Sequence, residues 1–381
     1  MKKHIFIIGS RGLPAKYGGF ETFVEELVKH QNNKNIQYHV ACQSENSDRA
    51  TAGEHFDYLG ADCFVVKVPK IGPARVIAYD ILAINAGLKQ CKTENIEQPI
   101  FYILGNTIGG VIGHYARKIR RIGGKLFVNP DGLEWKRTKW APPVRKYLKI
   151  AEKKMVKNAN LIISDNAGIK EYLTSEYGKI DTKIIAYGTE KFSSNLTESK
   201  TLVKYKVRDY YLIVGRFVPE NNYELLIRTF MESKITRDLV IITNYAGNSY
   251  YEELREKTGF DKDSRIKFVG TVYDQNELRF IREHAFAYLH GHEVGGTNPG
   301  LLEAMWSTPV NVVLGVNFNR TTAGESVIYF DKKNLLSVLT EIENMTDETR
   351  KLLHEKAHKI IKEKYTWEHI CTQYEELFVE S

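Results

Sequence analysis

Cysteine is scarce and scattered in this chain: Cys42, Cys63, Cys91 and Cys371 form no C-x-x-C pair. That argues against a zinc knot and a disulfide framework, and it fits a reducing cytosol. No apolar run approaches the roughly 18 residues of a membrane span. Met1, Lys2 and Lys3 before an apolar stretch outline a signal peptide, but the stretch stops at Gly9, Ser10 and Arg11 and reads as a first core strand. A soluble protein is expected. Fixed-period repeats, low-complexity tracts and recognised nucleic-acid modules are missing too. So is the dinucleotide fingerprint G-x-G-x-x-G, since the glycines after the first apolar run are Gly9, Gly12, Gly18 and Gly19. NAD is disfavoured. An anion or sugar site stays open there, because a strand, a long glycine-bearing loop and a helix start gather free amides at a positive helix end.

At 381 residues the chain exceeds the size at which one core keeps growing, so two domains of roughly 180 residues are expected. The net charge of +7 is unevenly spread. Residues 115–160 hold fourteen Lys or Arg against Asp131, Glu134 and Glu152, a local excess of eleven.

Short apolar runs (HIFIIG, YHVAC, CFVVKVP, PIFYILG, KLFVN) alternate with helical patterns near 21–30, 74–90 and 109–121. Strands buried on both faces between helices indicate a parallel sheet. A helix near 143–158, NLIISDN, a short helix at 167–176 and TKIIAYG continue the series. The polar interval 190–200 reads as a linker, because YYLIVGR then opens a second series. It runs through a helix at 222–232, LVIITN, RIKFVG, a helix at 274–283, FAYLHG, a helix at 299–305 and PVNVVL. A last long helix is expected over 335–364. Beyond it, Trp367, Ile370, Tyr374 and Leu377 recur at helical spacing.

Ligands of open α/β sheets bind beyond the carboxyl ends of the strands. Arg216 stands there in GRFVPENN, either as a bidentate diphosphate clamp or in a surface salt bridge. After FAYLHG comes HEVGGTNPGLLEAMWSTPV. Free amides with Thr297 and Asn298 suit phosphate oxygens, and Glu303 suits ribose hydroxyls. Read singly, Thr297 and Asn298 are helix caps and Glu303 a dipole partner, which leaves their crowding with Gly295 and Gly296 unexplained.

GRFVPENN followed about eighty residues later by GGTNPGLLEAMWSTPV resembles the donor half of the retaining family 4 glycosyltransferases of the GT-B fold. GSRGLPAKYGGFETFVEELV and NPDGLEWKRTKW resemble a bacterial subfamily of polysaccharide rhamnosyltransferases. The resemblance runs from the first strand to the YTWEHI helix. It implies an α/β fold of two Rossmann-like domains whose parallel sheets face across a cleft. Residues 1–195 would form the acceptor-side domain and 196–364 the donor domain, with a C-terminal helix, 365–381, packing back on the first.

By the same resemblance Arg216 holds the donor diphosphate, Glu303 the ribose, and Gly296, Thr297 and Asn298 the phosphates or sugar. Gly18 and Gly19 approach the donor from the other domain, and Phe20 lies on the acceptor side. Two positions depart from the family pattern. Asn221 stands where the family has a Lys, so Arg11 or Arg320 would compensate, and Gly295 replaces the first of two paired glutamates, with Glu293 two residues upstream.

Asp131 and Glu134 fall just beyond a strand, where two carboxylates can contact sugar hydroxyls or help deprotonate an acceptor. In the plainer alternative, Asp131 is in a turn and Glu134 pairs with Lys136 or Arg137. Asp165, with Asn166, is a second candidate on the acceptor side or a helix cap. His290 and His292 lack a completing ligand set, and no metal is expected. The resemblance implies dTDP-L-rhamnose as the donor, with no cofactor. By the same resemblance the acceptor expected is a sugar, GlcNAc or glucose, on undecaprenyl diphosphate, with a β-1,4 linkage. In a front-face mechanism the departing diphosphate can itself take the acceptor proton. Within the basic segment, Val144, Tyr147, Leu148, Ala151 and Met155 follow helical spacing, with Arg145, Lys146, Lys149 and Lys153 on other faces. With Trp140 they suggest a surface for anionic lipid, hence a peripheral protein on the inner face of the cell membrane. A GT-B epimerase, another hexosyltransferase and a non-catalytic nucleotide-sugar sensor are the alternatives.

Overall fold

The apolar runs become strands because β-branched and aromatic residues fill a pleated surface buried on both faces. The computed structural model describes residues 2–16, 18–49, 51–137 and 139–381. They form two units, Met1–Gly188 with Trp367–Ser381, and Thr189–Thr366.

In the first unit the chain runs through β1 (Lys3–Ile8), α1 (Gly19–Lys29), β2 (Ile36–Gln43), β3 (His55–Tyr58), β4 (Ala61–Val66), α2 (Arg75–Thr93) and β5 (Ile100–Leu104). It continues through α3 (Ile112–Arg121), β6 (Lys125–Asn129), α4 (Pro142–Asn158), β7 (Leu161–Ser164), α5 (Ala167–Tyr177) and β8 (Thr182–Ile184). The eight-stranded sheet has the order β3-β4-β2-β1-β5-β6-β7-β8. Among the described strands of this sheet, only the edge pair β3/β4 is antiparallel. Leu59 and Gly60, both at positive φ, make its two-residue turn.

The second unit holds α6 (Lys200–Lys204), β9 (Tyr210–Val214), α7 (Tyr223–Glu232), β10 (Asp238–Ile242), α8 (Ser249–Thr258), β11 (Ile266–Gly270) and α9 (Gln275–Glu283). After them come β12 (Ala287–His290), α10 (Pro299–Ser307), β13 (Asn311–Leu314), α11 (Asn317–Ala323), β14 (Ile328–Phe330), α12 (Leu335–Glu343) and α13 (Asp347–Lys364). Its six strands are parallel in the order β11-β10-β9-β12-β13-β14. The long helix expected over 335–364 is two helices. Asn344 ends α12, and Thr346 caps α13 by accepting from the Thr349 amide at 3.3 Å.

The last helix, α14 (Trp367–Glu380), completes the core of the first unit. Trp367, Ile370, Cys371, Tyr374 and Phe378 pack with Phe23, Tyr38 and Tyr102, and each fully buried large side chain contributes about 1.5–3 kcal/mol. The Tyr374 and Tyr102 hydroxyls hydrogen-bond at 3.0 Å. The stretch read as a linker belongs to the second unit: Glu190 pairs with Arg279 at 2.6 Å, and the Ser194 amide donates to Glu283 at 3.0 Å. Among the described residues no helix is long and apolar enough to cross a membrane.

Candidate functional site

Strand order locates the site in the second unit. From β9 the chain moves outward through β10 and β11, then returns to place β12 on the other side of β9. Between β9 and β12 the winding therefore reverses, and the loops leaving their carboxyl ends diverge to open a crevice. Arg216 lies just past β9, and residues 291–298 lead from β12 into α10.

Arg216 is exposed, and its guanidinium has no hydrogen-bond or ion-pair partner among the described residues. Its backbone, by contrast, is tightly held. The Asn221 side-chain amide donates to the Arg216 carbonyl at 2.7 Å, and Asn221 is only 6 % exposed. Asn221 thus shapes the turn that presents Arg216, and its side chain is committed to that turn. Arg320 is also occupied: its Nε donates to the Gly315 carbonyl at 3.0 Å and its guanidinium lies over the Tyr329 ring at 4.4 Å.

Two further asparagines pin the loop after β12. Asn222, in the left-handed conformation, donates to the Gly291 carbonyl at 2.8 Å, and Asn319 donates to the His292 carbonyl at 3.1 Å and the Leu314 carbonyl at 2.9 Å. Nothing in the sequence singled out Asn222 or Asn319, since asparagine is common in turns. Glu293 takes both Lys332 (2.8 Å) and Asn222 (3.2 Å). Burial pushes the Glu293 carboxyl up, but the bonds from Lys332 and Asn222 outweigh it and hold the group below its ordinary range. His290 is fully buried and stacks on His292 with centroids 4.3 Å apart; burial, then His292, push its pKa well below the usual value. It is a neutral, packing imidazole. Among the described residues no group of three or more His, Cys, Asp or Glu could hold a metal.

At the start of α10, Asn298 caps the helix by accepting from the Leu301 amide at 3.3 Å, and Pro299 occupies the first turn. Thr297 is buried and engaged, while Gly295 and Gly296 are partly exposed. Glu303 lies farther along the helix and forms an ion pair with Arg282 of α9. The Arg282 side chain is 4 % exposed and that of Glu303 39 %, so a buried cation fixes a carboxylate that still reaches solvent. Sequence reasoning missed Arg282, which looks like any basic residue in a last helical turn.

The remaining candidates belong to the first unit, whose winding also reverses, between β1 and β5. Gly18, at φ 132°, precedes α1, and a Cβ there would overlap the Glu21 carboxylate. Glu21 accepts from the Arg11 amide at 2.8 Å and Glu25 from the Ala15 amide at 3.0 Å, fastening the loop to α1. Gly19 has open space around it. Phe20 packs partly buried on the core, 3.7 Å from where a Cβ of Gly105 would stand.

Asp131 adopts φ 60°, a left-handed conformation that Asp tolerates, and its amide donates to Asn129 at 2.9 Å. Arg137 joins the two carboxylates, 2.6 Å from Glu134 and 3.8 Å from Asp131. Glu134 also pairs with Lys139 at 2.6 Å and accepts from the Trp140 indole at 3.0 Å. Lys136 does not pair with it and lies over the Trp135 ring at 5.4 Å. Burial raises the Glu134 pKa, but Arg137, Lys139 and Trp140 together pull it below the ordinary value. Such a carboxylate is a weak base and a strong anchor. Asp165 is 3 % exposed; burial raises the pKa of Tyr187, Tyr374 and Tyr102, and the Asp165 charge adds to the same direction. Direct contact with an acceptor would require it to be uncovered. Asn166 caps α5 by accepting from the Gly168 amide at 2.7 Å.

Residues 2–190 match the family described as a domain of unknown function, DUF1972. No curated protein matches the chain in sequence. Among solved structures, sucrose-phosphate synthase from Thermosynechococcus elongatus is similar at 16 % identity and a TM-score of 0.79, covering 100 % of both chains. Anabaena HepE in complex with UDP gives 14 % identity and a TM-score of 0.72, again over 100 % of both chains. The trehalose-6-phosphate protein of E. coli bound with UDP-2-fluoro glucose gives 10 % identity and a TM-score of 0.70 over 99 % of each chain. With its two parallel-sheet units, this chain has the GT-B fold.

Proposed function

We propose that this protein is a retaining glycosyltransferase that moves L-rhamnose from dTDP-β-L-rhamnose onto GlcNAc or glucose carried on undecaprenyl diphosphate, forming a β-1,4 linkage in bacterial polysaccharide synthesis. The observation that carries the reading is the unpartnered Arg216 guanidinium at the winding reversal of the second unit, where the α10 start and Glu303 follow the adjacent strand. Arg216 clamps the diphosphate, as a guanidinium suits paired phosphate oxygens. Gly296, Thr297 and the cap at Asn298 bring backbone amides to the phosphates, and Glu303 accepts from the ribose hydroxyls. HepE with UDP and the E. coli protein with UDP-2-fluoro glucose support a nucleotide-sugar donor for this fold.

Gly18 and Gly19 close on the donor, and Phe20 borders the acceptor. Asp131 contacts the acceptor hydroxyl, Glu134 anchors it through Arg137, and Asp165 supports that side from beneath. The negative charge that builds on the leaving diphosphate as the sugar–oxygen bond breaks is offset by Arg216 and helix amides, without a metal. The basic segment 115–160 holds the protein against the anionic inner face of the membrane.

Mass spectrometry of a nucleotide-sugar panel incubated with a synthetic lipid-diphosphate GlcNAc tests this. Depletion of dTDP-rhamnose with appearance of a rhamnosylated lipid is expected. Epimerised UDP-GlcNAc with no rhamnosylated lipid would point to an epimerase. Donor binding with no turnover would point to a sensor.

A further inference from the structure

One cavity in the first unit is lined by none of the carboxylates and glycines described above. Its volume is about 330 Å³, and Trp135, Pro142, Arg145, Lys146, Lys149 and Ile150 line it. The five α4 residues follow the spacing i, i+3, i+4, i+7, i+8, which is one face of a helix. The core-facing stripe is a different one, Leu148, Ala151 and Met155. Val144, expected from its spacing to join that stripe, is instead 38 % exposed.

The wall opposite α4 is held rigidly. Arg145 Nε donates to the Trp135 carbonyl at 2.9 Å, and the Trp135 indole donates to the Tyr172 hydroxyl at 3.1 Å. Lys149 stands over the indole at 4.6 Å, with its charge answered by Glu176 at 3.1 Å and Glu152 at 3.6 Å. The other two cations are not answered. Neither Arg145 nor Lys146 forms an ion pair with a described residue, and the Arg145 terminal nitrogens have no hydrogen-bond partner among them. Next to these charges Ile150 is 47 % exposed.

Two uncompensated cations, an indole held edge and face, and the exposed Ile150 on one helix face fit a ligand with an anionic head and an apolar body. Arginine grips phosphate oxygens in pairs, lysine adds a point charge, and tryptophan favours the boundary between headgroup and hydrocarbon. We infer that this cavity seats the phosphate headgroup of a membrane lipid, with Ile150 against the acyl or isoprenoid region. The inference deepens the membrane-bound acceptor reading and rests on it. It narrows a diffuse basic segment to two residues.

The test is sedimentation of the full chain with phosphatidylcholine vesicles containing or lacking phosphatidylglycerol. The cavity variant Arg145→Ala/Lys146→Ala is compared with Lys153→Ala/Lys157→Ala, which removes the same charge from exposed positions of α4 outside the cavity. The cavity variant should lose about tenfold or more in affinity for the anionic vesicles, and the control about threefold or less. Ile150→Ser, which leaves the charge unchanged, should also weaken binding. Equal losses from the two double variants, or no loss from the cavity variant, would overturn the assignment. Binding of inorganic diphosphate that matches vesicle binding, needs no bilayer and requires Arg145 would overturn the lipid source. Circular dichroism establishes that each variant is folded. Vesicle binding needs no nucleotide sugar, so a failure of donor binding in the wild type would sink the glycosyltransferase reading and leave this result separate.

Discussion

Arg282 and Glu303 form an ion pair between α9 and α10 in which the cation is buried and the carboxylate is partly exposed. The asymmetry has consequences for stability as well as for binding. Removing Glu303 leaves a guanidinium stranded in the interior, whereas removing Arg282 leaves a carboxylate that water can solvate. Glu303→Ala should therefore cost about 1–3 kcal/mol in urea unfolding, and Arg282→Met less. Both should weaken binding of dTDP by about tenfold or more in calorimetric titration, because the ribose hydroxyls lose a fixed acceptor.

The Arg216 guanidinium has no partner among the described residues to lose. Arg216→Ala should weaken dTDP binding by about tenfold or more while leaving Tm unchanged within a degree or two. Asn221→Ala should do the reverse to the fold. It strips the Arg216 carbonyl of a buried donor at 2.7 Å and should cost about 1–2 kcal/mol in thermal unfolding. Asn221→Lys, although it adds a cation, should bind dTDP no better, since the position is buried.

Glu134 and Asp131 are predicted to separate structure from chemistry. The Glu134 pKa is depressed in the folded chain, so its contribution is present above the ordinary glutamate range of about 4.3 and fades as pH falls through the lower, folded value. Glu134→Gln should lower stability near pH 7 and reduce the loss seen on acidification. Asp131→Asn should impair transfer more than it impairs dTDP binding, measured by single-turnover assay and calorimetry. Full transfer by that variant would remove Asp131 from the site.

Asp80 of α2 provides a pH dependence of opposite sign. It is buried, one oxygen accepts from the Thr107 hydroxyl at 3.0 Å and the other has no hydrogen-bond partner among the described residues. Burial pushes its pKa up to about 7, against the opposing pull of Thr107. Between about pH 4 and 7 the folded chain thus holds a proton the unfolded chain has released, and stability falls as pH rises, by about 4 kcal/mol at most. Asp80→Asn should flatten that slope in urea titrations at pH 5 and pH 8.

The alternation of apolar runs and helical patterns was readable because each strand is buried on both faces and each helix shows a period to the core. HIFIIG, PIFYILG and YYLIVGR became β1, β5 and β9, the central strands of their sheets. The break between α12 and α13 was not readable, because apolar spacing continues across it and a single Thr346 cap decides it. Edge elements such as β3 and β14 were missed because partial burial leaves them little hydrophobic signal.

At the candidate site the sequence identified the residues that carry charge or flexibility past a strand: Arg216, Gly296, Asn298, Glu303 and Asp131. Residue type and position after an apolar run suffice for that, since both are local. Which of them are free was decided by partners distant in sequence. Asn298 spends its side-chain oxygen on a cap, Glu134 is answered by Arg137, Lys139 and Trp140, and Glu303 is held by Arg282. Of these donor-site candidates, Arg216 has no partner for its guanidinium among the described residues, because Asn221 folds the turn through the backbone and leaves the guanidinium to solvent. Residue types and their order were enough for the kind of fold and the chemistry stationed along it. Which charges are spent on holding the protein together was settled by folding, because pairing depends on distance in space and burial sets its strength.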